Sequence, residues 1–265
     1  MNWVDKVCLI TGASSGFGRS AATRLAARGA TVVAAARRED RLRELVDELG
    51  GEPHSYVVCD VADLGQVRAM AEELEARTGR LDVLLNNAGI RSTGPLPQST
   101  SEAIERVLRT NLLGSIWCVR ELLPLLEAAP RRERTPVVIN LASMGGRLPS
   151  PGASDYVAAK FGLVGFSESI WYDLGQLGIR VMVVNPGFAD TEGFPMDELR
   201  AHPSTAWTVM DADRVAKALI RGVERGAFEV RVQWWWHLVY HAGVLSGPLR
   251  REVTRRLAKV VATER

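Results

Sequence analysis

Tyr156 and Lys160 stand four residues apart in a segment of helical period, and Ser143 precedes the tyrosine by thirteen positions. A phenol is a poor acid or base near neutral pH, its free pKa being about 10, but a cation within roughly 4–6 Å favours the phenolate. On a helix, positions i and i+4 share a face with Cβ atoms about 5–6 Å apart. Lys160 is therefore placed to lower the pKa of Tyr156 and make it a tunable proton donor. Ser143 can add a second hydrogen bond to an oxygen that gains negative charge as a carbonyl accepts hydride. With only 4 Tyr and 4 Lys in 265 residues, chance would produce a Tyr-x3-Lys pair about 0.06 times.

A second group of residues has the types that hold a dinucleotide. The run Val7-Cys8-Leu9-Ile10-Thr11 leads into Gly12, Ser14, Ser15, Gly16, Phe17 and Gly18, and a helical segment follows. Glycines after a strand let backbone approach a pyrophosphate, and the next helix turns its positive end toward that charge. About 20 residues on, a carboxylate would bind a free ribose 2′-OH. Here Arg37 and Arg38 follow Ala34-Ala35-Ala36, and guanidinium groups suit a 2′-phosphate. NADP(H) is the expected cofactor, with NAD(H) as the alternative; the same arginines could instead simply open a charged helix with Glu39 and Asp40. Asp60 and Val61, then Asn86, Asn87, Ala88 and Gly89, extend a row of small and polar residues after two further apolar runs. Asp60 suits the adenine amino group, or it caps the helix starting near residue 63.

The elements that must carry these residues alternate. Short β-branched runs at 7–11, 31–36, 55–59, 81–86, 136–142, 179–185 and 228–232 read as strands. Segments of helical period lie between them at 16–29, 39–49, 63–78, 100–128, 154–177 and 211–225. Right-handed crossovers turn that order into an α/β fold, a Rossmann-like doubly wound parallel sheet of about seven strands with helices on both faces. Ligands then bind beyond the carboxyl ends of the strands, where strand order reverses.

Composition sets the outer limits. A chain of 265 residues, 46% hydrophobic and 24% charged, can bury one large core, and residues 1–232 read as a single domain. The net charge of +2, spread over both signs, gives no footprint for nucleic acid. Cys8, Cys59 and Cys118 sit in apolar runs and suit buried thiols in a reducing cytoplasm. No secretory signal opens the chain, and no apolar stretch reaches spanning length.

From Thr11-Gly-Ala-Ser-Ser-Gly-Phe-Gly18 to Pro186-Gly187-x3-Thr191, the motifs occur in the order and at the separations of the short-chain dehydrogenase/reductase family, which the chain resembles over most of its length. By that resemblance Asn111, Ser143, Tyr156 and Lys160 form the catalytic tetrad, with Asn111 in the middle of the long helix 100–128 and able to hold a water that returns protons to Lys160. Gly12, Ser14, Ser15, Gly16, Phe17 and Gly18 are implied to cradle the diphosphate and ribose. Asp60 and Val61 fall at the adenine, and Asn87, Ala88 and Gly89 along the ribose. Lys160 also meets the nicotinamide ribose, and Pro186, Gly187 and Thr191 hold the carboxamide. The resemblance further implies a homodimer or homotetramer built through helices 100–128 and 154–177.

Segments 90–97, 144–153 and 188–210 are expected to line a pocket with Ile90, Leu96, Met144, Leu148, Phe188, Phe194, Met196 and Trp207, and the insertion 188–210 to act as a lid. Arg91 and Arg147 could meet an acidic or phosphorylated group, but read more readily as solvated loop arginines. The lining suits a small apolar ketone, aldehyde or secondary alcohol. Residues 233–265 form an aromatic and basic extension: Trp234, Trp235 and Trp236 are consecutive, and Leu249, Val253, Leu257 and Val260 form one stripe beside several arginines. That make-up fits a substrate lid and subunit interface, or a peripheral contact at the inner face of a membrane. His237 and His241 lack the carboxylate of a zinc motif, so no metal is expected. The rival to an enzyme is a catalytically silent NADP-binding sensor, and the intact tetrad weighs against it.

Overall fold

The computed structural model describes residues 2–92, 94–131, 136–194, 196–201 and 206–233, together with positions 240, 241 and 252. Strand β1 (Val7–Thr11) leads to α1 (Gly16–Ala26), β2 (Thr31–Ala36), α2 (Glu39–Glu48), β3 (Ser55–Val58), α3 (Leu64–Thr78) and β4 (Val83–Asn86). The second half runs through α4 (Ser101–Leu108), a π-turn (Arg109–Leu113), α5 (Gly114–Glu121), α6 (Leu123–Ala128), β5 (Val137–Leu141), α7 (Ser154–Gln176) and β6 (Arg180–Asn185). It closes with α8 (Asp197–Ala201), α9 (Ala212–Arg225) and β7 (Glu229–Arg231). Each strand foreseen from β-branched runs is present: 7–11 and 31–36 keep their expected bounds, and the other five are shorter by one to two residues.

The sheet is parallel throughout the described pairings, in the order β3-β2-β1-β4-β5-β6-β7. Strand residues point alternately to opposite faces, and the two cores follow that alternation. Cys8, Ile10, Val32, Ala34, Leu85, Ile139 and Val184 meet Leu25 of α1, Leu42 of α2 and Leu219 of α9. Leu9, Val33, Ala35, Leu84, Val138 and Val181 meet Met70 and Leu74 of α3, Cys118 of α5, Leu126 of α6 and Leu174 of α7. Strands buried on both faces must be apolar along their whole length, and β1, β4 and β5 are buried throughout.

Strand order reverses between β1 and β4, so the carboxyl ends of these neighbours open a crevice. Thr11 and Asn86, the last residues of the two strands, stand at its base.

The expected helix 100–128 is instead broken twice. The π-turn Arg109–Leu113 widens the backbone within the continuous helical path from α4 to α5, a feature often found at functional sites. Pro124, which has no N–H to donate, sits in the first turn of α6 where none is needed. The cap of α3 is Asp63, whose carboxylate accepts from Gly65 N at 2.8 Å and Gln66 N at 3.2 Å; Asp60 makes a local turn by accepting from Ala62 N. The three cysteines are free and buried, and burial pushes the Cys59 thiol up to about 12. Among the described residues, no helix is long and apolar enough to cross a membrane. Trp234, Trp235, Trp236, His237 and the expected stripe of Leu249, Val253, Leu257 and Val260 lie outside the described residues.

Candidate active site

Thr11 ties the two strand ends together. Its hydroxyl donates to Leu85 O at 3.3 Å and accepts from Asn87 N at 3.0 Å and Ala88 N at 3.1 Å. The Asn87 amide returns across the same gap, donating to Thr11 O at 2.8 Å and Gly12 O at 3.1 Å. This lacing presses the glycine loop against residues 87–88. Gly12 has φ +66°, and a Cβ there would fall 2.8 Å from Ala88 Cα; a Cβ on Gly18 would fall 2.5 Å from both Gly12 O and Asn87 Nδ2. Only glycine permits that approach. Helix α1 begins within this loop at Gly16, with no acidic residue in its first turn to neutralise its positive end.

On the far side of the crevice, Ser143 ends the loop after β5. Its hydroxyl accepts from Gly145 N at 3.0 Å, capping the short turn Met144–Gly146, and is also hydrogen-bonded to the Tyr156 phenol. Lys160, only 4% exposed, donates from Nζ to Leu141 O at 2.8 Å and lies 5.7 Å from the centroid of the Tyr156 ring. Tyr156 and Lys160 thus share one face of α7, as their spacing foretold.

The electrostatics differ from the expectation in sign. Burial pushes the Tyr156 phenol up, and the Ser143 hydrogen bond only partly offsets this. Lys160 is itself desolvated, which pushes its ammonium down to about 8, and that ammonium is anchored on Leu141 O. Desolvation is thus the largest influence on the phenol, against the lowering that the i,i+4 spacing was expected to supply.

Asn111 is fully buried in the π-turn. Its Oδ1 accepts from Ile90 N at 2.7 Å and its Nδ2 donates to Ile90 O at 2.8 Å. The side chain expected to hold a water is thus engaged at both ends with backbone. Its effect is to fix residues 89–90 beside Lys160: a Cβ on Gly89 would lie 3.2 Å from Asn111 Oδ1 and 3.8 Å from Lys160 Nζ.

One cleft of about 1200 Å³ joins the two sides. It is lined by Gly12, Ser14, Ser15, Gly16, Phe17, Arg37, Arg38, Asp60, Val61, Asn87, Ala88, Gly89, Ser143, Tyr156, Lys160, Pro186, Gly187 and Thr191. Of the catalytic and cofactor-holding residues that the family resemblance implies, Gly18 and Asn111 lie outside this lining. Arg38 donates to Ser14 Oγ at 3.0 Å and Ser15 Oγ at 2.9 Å; Arg37, more exposed, faces Asp60 at 3.7 Å. A backbone cradle that admits no Cβ, an uncompensated helix terminus and a guanidinium at the cleft wall fit a dinucleotide.

The apolar end holds Ile90, Met144, Leu148, Phe188, Phe194 and Met196. Leu96 and Trp207, expected there, are 61% and 66% exposed and lie outside the lining. Phe194 packs on Tyr156 with ring centroids 5.8 Å apart. Arg147 is no solvated loop arginine: it pairs with Glu168 at 2.7 Å and Glu229 at 3.2 Å, its side chain 12% exposed. Glu229 also binds Arg231 at 2.7 Å, and the Tyr240 ring lies under Arg231 (4.4 Å to the centroid) and near Arg147 (5.7 Å). Sequence reasoning missed Thr11 as a side-chain clamp, although its position before Gly12 was in view, and Glu192, whose carboxylate meets Arg38 and which no motif marks. Among the described residues, no group of three or more His, Cys, Asp or Glu could hold a metal ion.

Residues 6–199 match the model of a family described as short chain dehydrogenase. The chain is 39% identical over 211 residues to a protein designated a ketoacyl reductase of the granaticin polyketide synthase in Streptomyces violaceoruber, covering 78% of this chain and 75% of that one. It is 35% identical over 192 residues to the 3-oxoacyl-[acyl-carrier-protein] reductase FabG of Escherichia coli, covering 72% and 77%. Among solved structures, a short chain dehydrogenase/reductase from Burkholderia phymatum in complex with NAD superposes with a TM-score of 0.82 at 25% identity, covering 94% of this chain and 96% of that one. A short-chain dehydrogenase from Streptomyces avermitilis gives 0.78 at 28% identity, covering 95% and 96%.

Proposed function

The chain belongs to the short-chain dehydrogenase family, and on that premise we propose that it is an NADP(H)-dependent reductase of a hydrophobic ketone, a 3-oxoacyl thioester foremost, worked by Asn111, Ser143, Tyr156 and Lys160. The observation that carries this reading is the convergence of Ser143, Tyr156 and Lys160 on the cleft that also contains the glycine loop.

The bound nicotinamide supplies or receives the hydride. The chain's own residues do the rest. Tyr156, whose phenol burial pushes up, donates its proton to the carbonyl oxygen as charge develops there. Ser143 is hydrogen-bonded to the phenol and can donate to the same oxygen. Lys160, anchored on Leu141 O, keeps a cation near the phenol once its proton has gone. Asn111 acts through Gly89 and Ile90, whose backbone it fixes beside Lys160.

Gly12 to Gly18 and the α1 terminus take the diphosphate, Asp60 and Val61 the adenine, and Asn87 to Gly89 the ribose. Pro186, Gly187 and Thr191 take the carboxamide. Arg38, with Arg37 beside it, favours NADP(H) over NAD(H) through the 2′-phosphate. The apolar lining and the names of the two curated relatives support an acyl ketone as substrate. Segment 188–210 is the lid, and 233–265 belongs to the same domain, a reading supported by the packing of Tyr240 on Arg147 and Arg231. Exposed Phe161, Trp171 and Tyr172 on α7 support assembly with further copies through that helix.

Tyr156→Phe tests the assignment. It removes the donated proton and leaves the ring, so NADPH affinity holds while kcat falls by about 100- to 10,000-fold. Turnover of a 3-oxoacyl thioester at the wild-type rate would refute Tyr156 as the donor.

A further inference from the structure

After β6 the chain folds into a four-residue turn, Thr191-Glu192-Gly193-Phe194. Thr191 N donates to Phe194 O at 3.2 Å, and Phe194 N to Thr191 O at 2.9 Å. The turn touches the cleft at three points. Thr191 lies so close to the glycine loop that a Cβ on Gly16 would fall 3.2 Å from its own. Phe194 packs on Tyr156. Between them, the Glu192 carboxylate accepts from Arg38 Nη1, while the Nε and Nη2 atoms of the same guanidinium reach Ser14 and Ser15.

The guanidinium assigned to the 2′-phosphate is thus already engaged by an anion carried on the turn. Carboxylate and phosphate bind a guanidinium fork through the same N–H donors, so the two compete. A phosphate monoester carries a charge of about −1.5 to −2 at neutral pH against one on a carboxylate, and it wins that competition when the rest of the dinucleotide holds it in place.

We propose that Glu192 is a specificity-determining residue that competes internally for Arg38: a 2′-phosphate must displace its carboxylate, whereas a dinucleotide with a free 2′-hydroxyl leaves the pair closed. The proposal rests on the NADP(H) reading above. Its consequence is that the chain binds NADP(H) less tightly than its arginine would allow, and that the turn over the glycine loop is released by the phosphate-bearing cofactor. The partners' side chains are 42% and 54% exposed, so the effect is that of a surface pair, about two- to fivefold in Kd.

Calorimetric titration of the full chain with NADP⁺ and with NAD⁺ tests this without reference to turnover. Glu192→Gln is expected to tighten NADP⁺ by about two- to fivefold and to leave NAD⁺ unchanged. Glu39→Gln controls for loss of a nearby negative charge, since Glu39 binds Arg43 and Tyr56 rather than Arg38; it should change neither. Unchanged NADP⁺ binding in Glu192→Gln, or equal tightening of both cofactors, overturns the proposal. Arg38→Ala separates the two levels. If it lowers the preference for NADP⁺ while Glu192→Gln is silent, only the competition fails. If it leaves the preference untouched, the NADP(H) reading fails and takes the competition with it.

Discussion

Gly146→Ala is the most demanding test of how the loop after β5 meets α7. Gly146 is buried, and a Cβ there would stand 2.7 Å from Lys160 O, 3.0 Å from Lys160 C and 3.0 Å from Val164 Cγ2. The nearest of these atoms is helix backbone, so no rotamer change relieves the contact, and loop or helix must shift by on the order of 0.5–1 Å. Overpacking of this kind costs about 1–3 kcal/mol. For a domain of this size each kcal/mol lowers Tm by about 2–4 °C, which gives a fall of about 2–12 °C. The same shift moves Ser143 relative to Tyr156, and a misplacement near 1 Å costs up to about 100-fold in rate. Gly145→Ala is the matched control. Its Cβ would meet Ser143 Oγ and Tyr156 Cε1 at 3.4 Å, a contact that small adjustments absorb. Thermal unfolding followed by circular dichroism, with kcat measured on a 3-oxoacyl thioester, reads both effects. A Gly146→Ala variant that melts and turns over like wild type, or a Gly145→Ala variant damaged to the same extent, would refute this account of the packing.

Two further outcomes follow from the site. Burial holds Lys160 near 8 against its ordinary 10.5, so between those values the unfolded chain binds more protons than the folded one, and stability rises as pH goes up through that window. Lys160→Met lacks this contribution; its stability relative to wild type should be greatest near neutral pH and shrink toward pH 10, a gap of a few kcal/mol at most that denaturant melts would follow, and a pH-independent gap would refute it. Thr11→Val leaves the part-buried Asn87 N and Ala88 N without their acceptor and should cost about 1–3 kcal/mol in all together with weaker cofactor binding. Thr11→Ser, which restores the hydroxyl, should recover both by the same melts and titrations.

The sheet was legible because a strand covered on both faces has to be a short apolar run, and such runs as Val7–Thr11 and Thr31–Ala36 stand out between polar helices. The catalytic pair was legible because helical spacing fixes which side chains share a face. What escaped the sequence depends on contacts between distant segments. The π-turn at Arg109–Leu113 carries no glycine or proline to mark it; its Asn111 is held by Ile90, from before α4. Arg147 looked like a loop arginine because its partners, Glu168 and Glu229, come from α7 and β7. The rise in the Tyr156 pKa comes from burial, which i,i+4 spacing cannot report. Glu192 lies 154 positions from Arg38, and no local pattern joins them.

Beneath the cleft, Asn86 of β4 donates to Asn140 Oδ1 of β5 at 2.9 Å, Asn140 donates to Ser167 Oγ of α7 at 2.8 Å, and Ser167 donates to Leu163 O at 2.7 Å. These side chains are buried, so a helix that slid or rotated by one position would strand amide groups where water cannot reach them. An oily contact alone would tolerate such sliding. The catalytic helix is therefore indexed against the sheet like a key against its wards, and the apolar walls can change to suit different substrates while the phenol stays at its station.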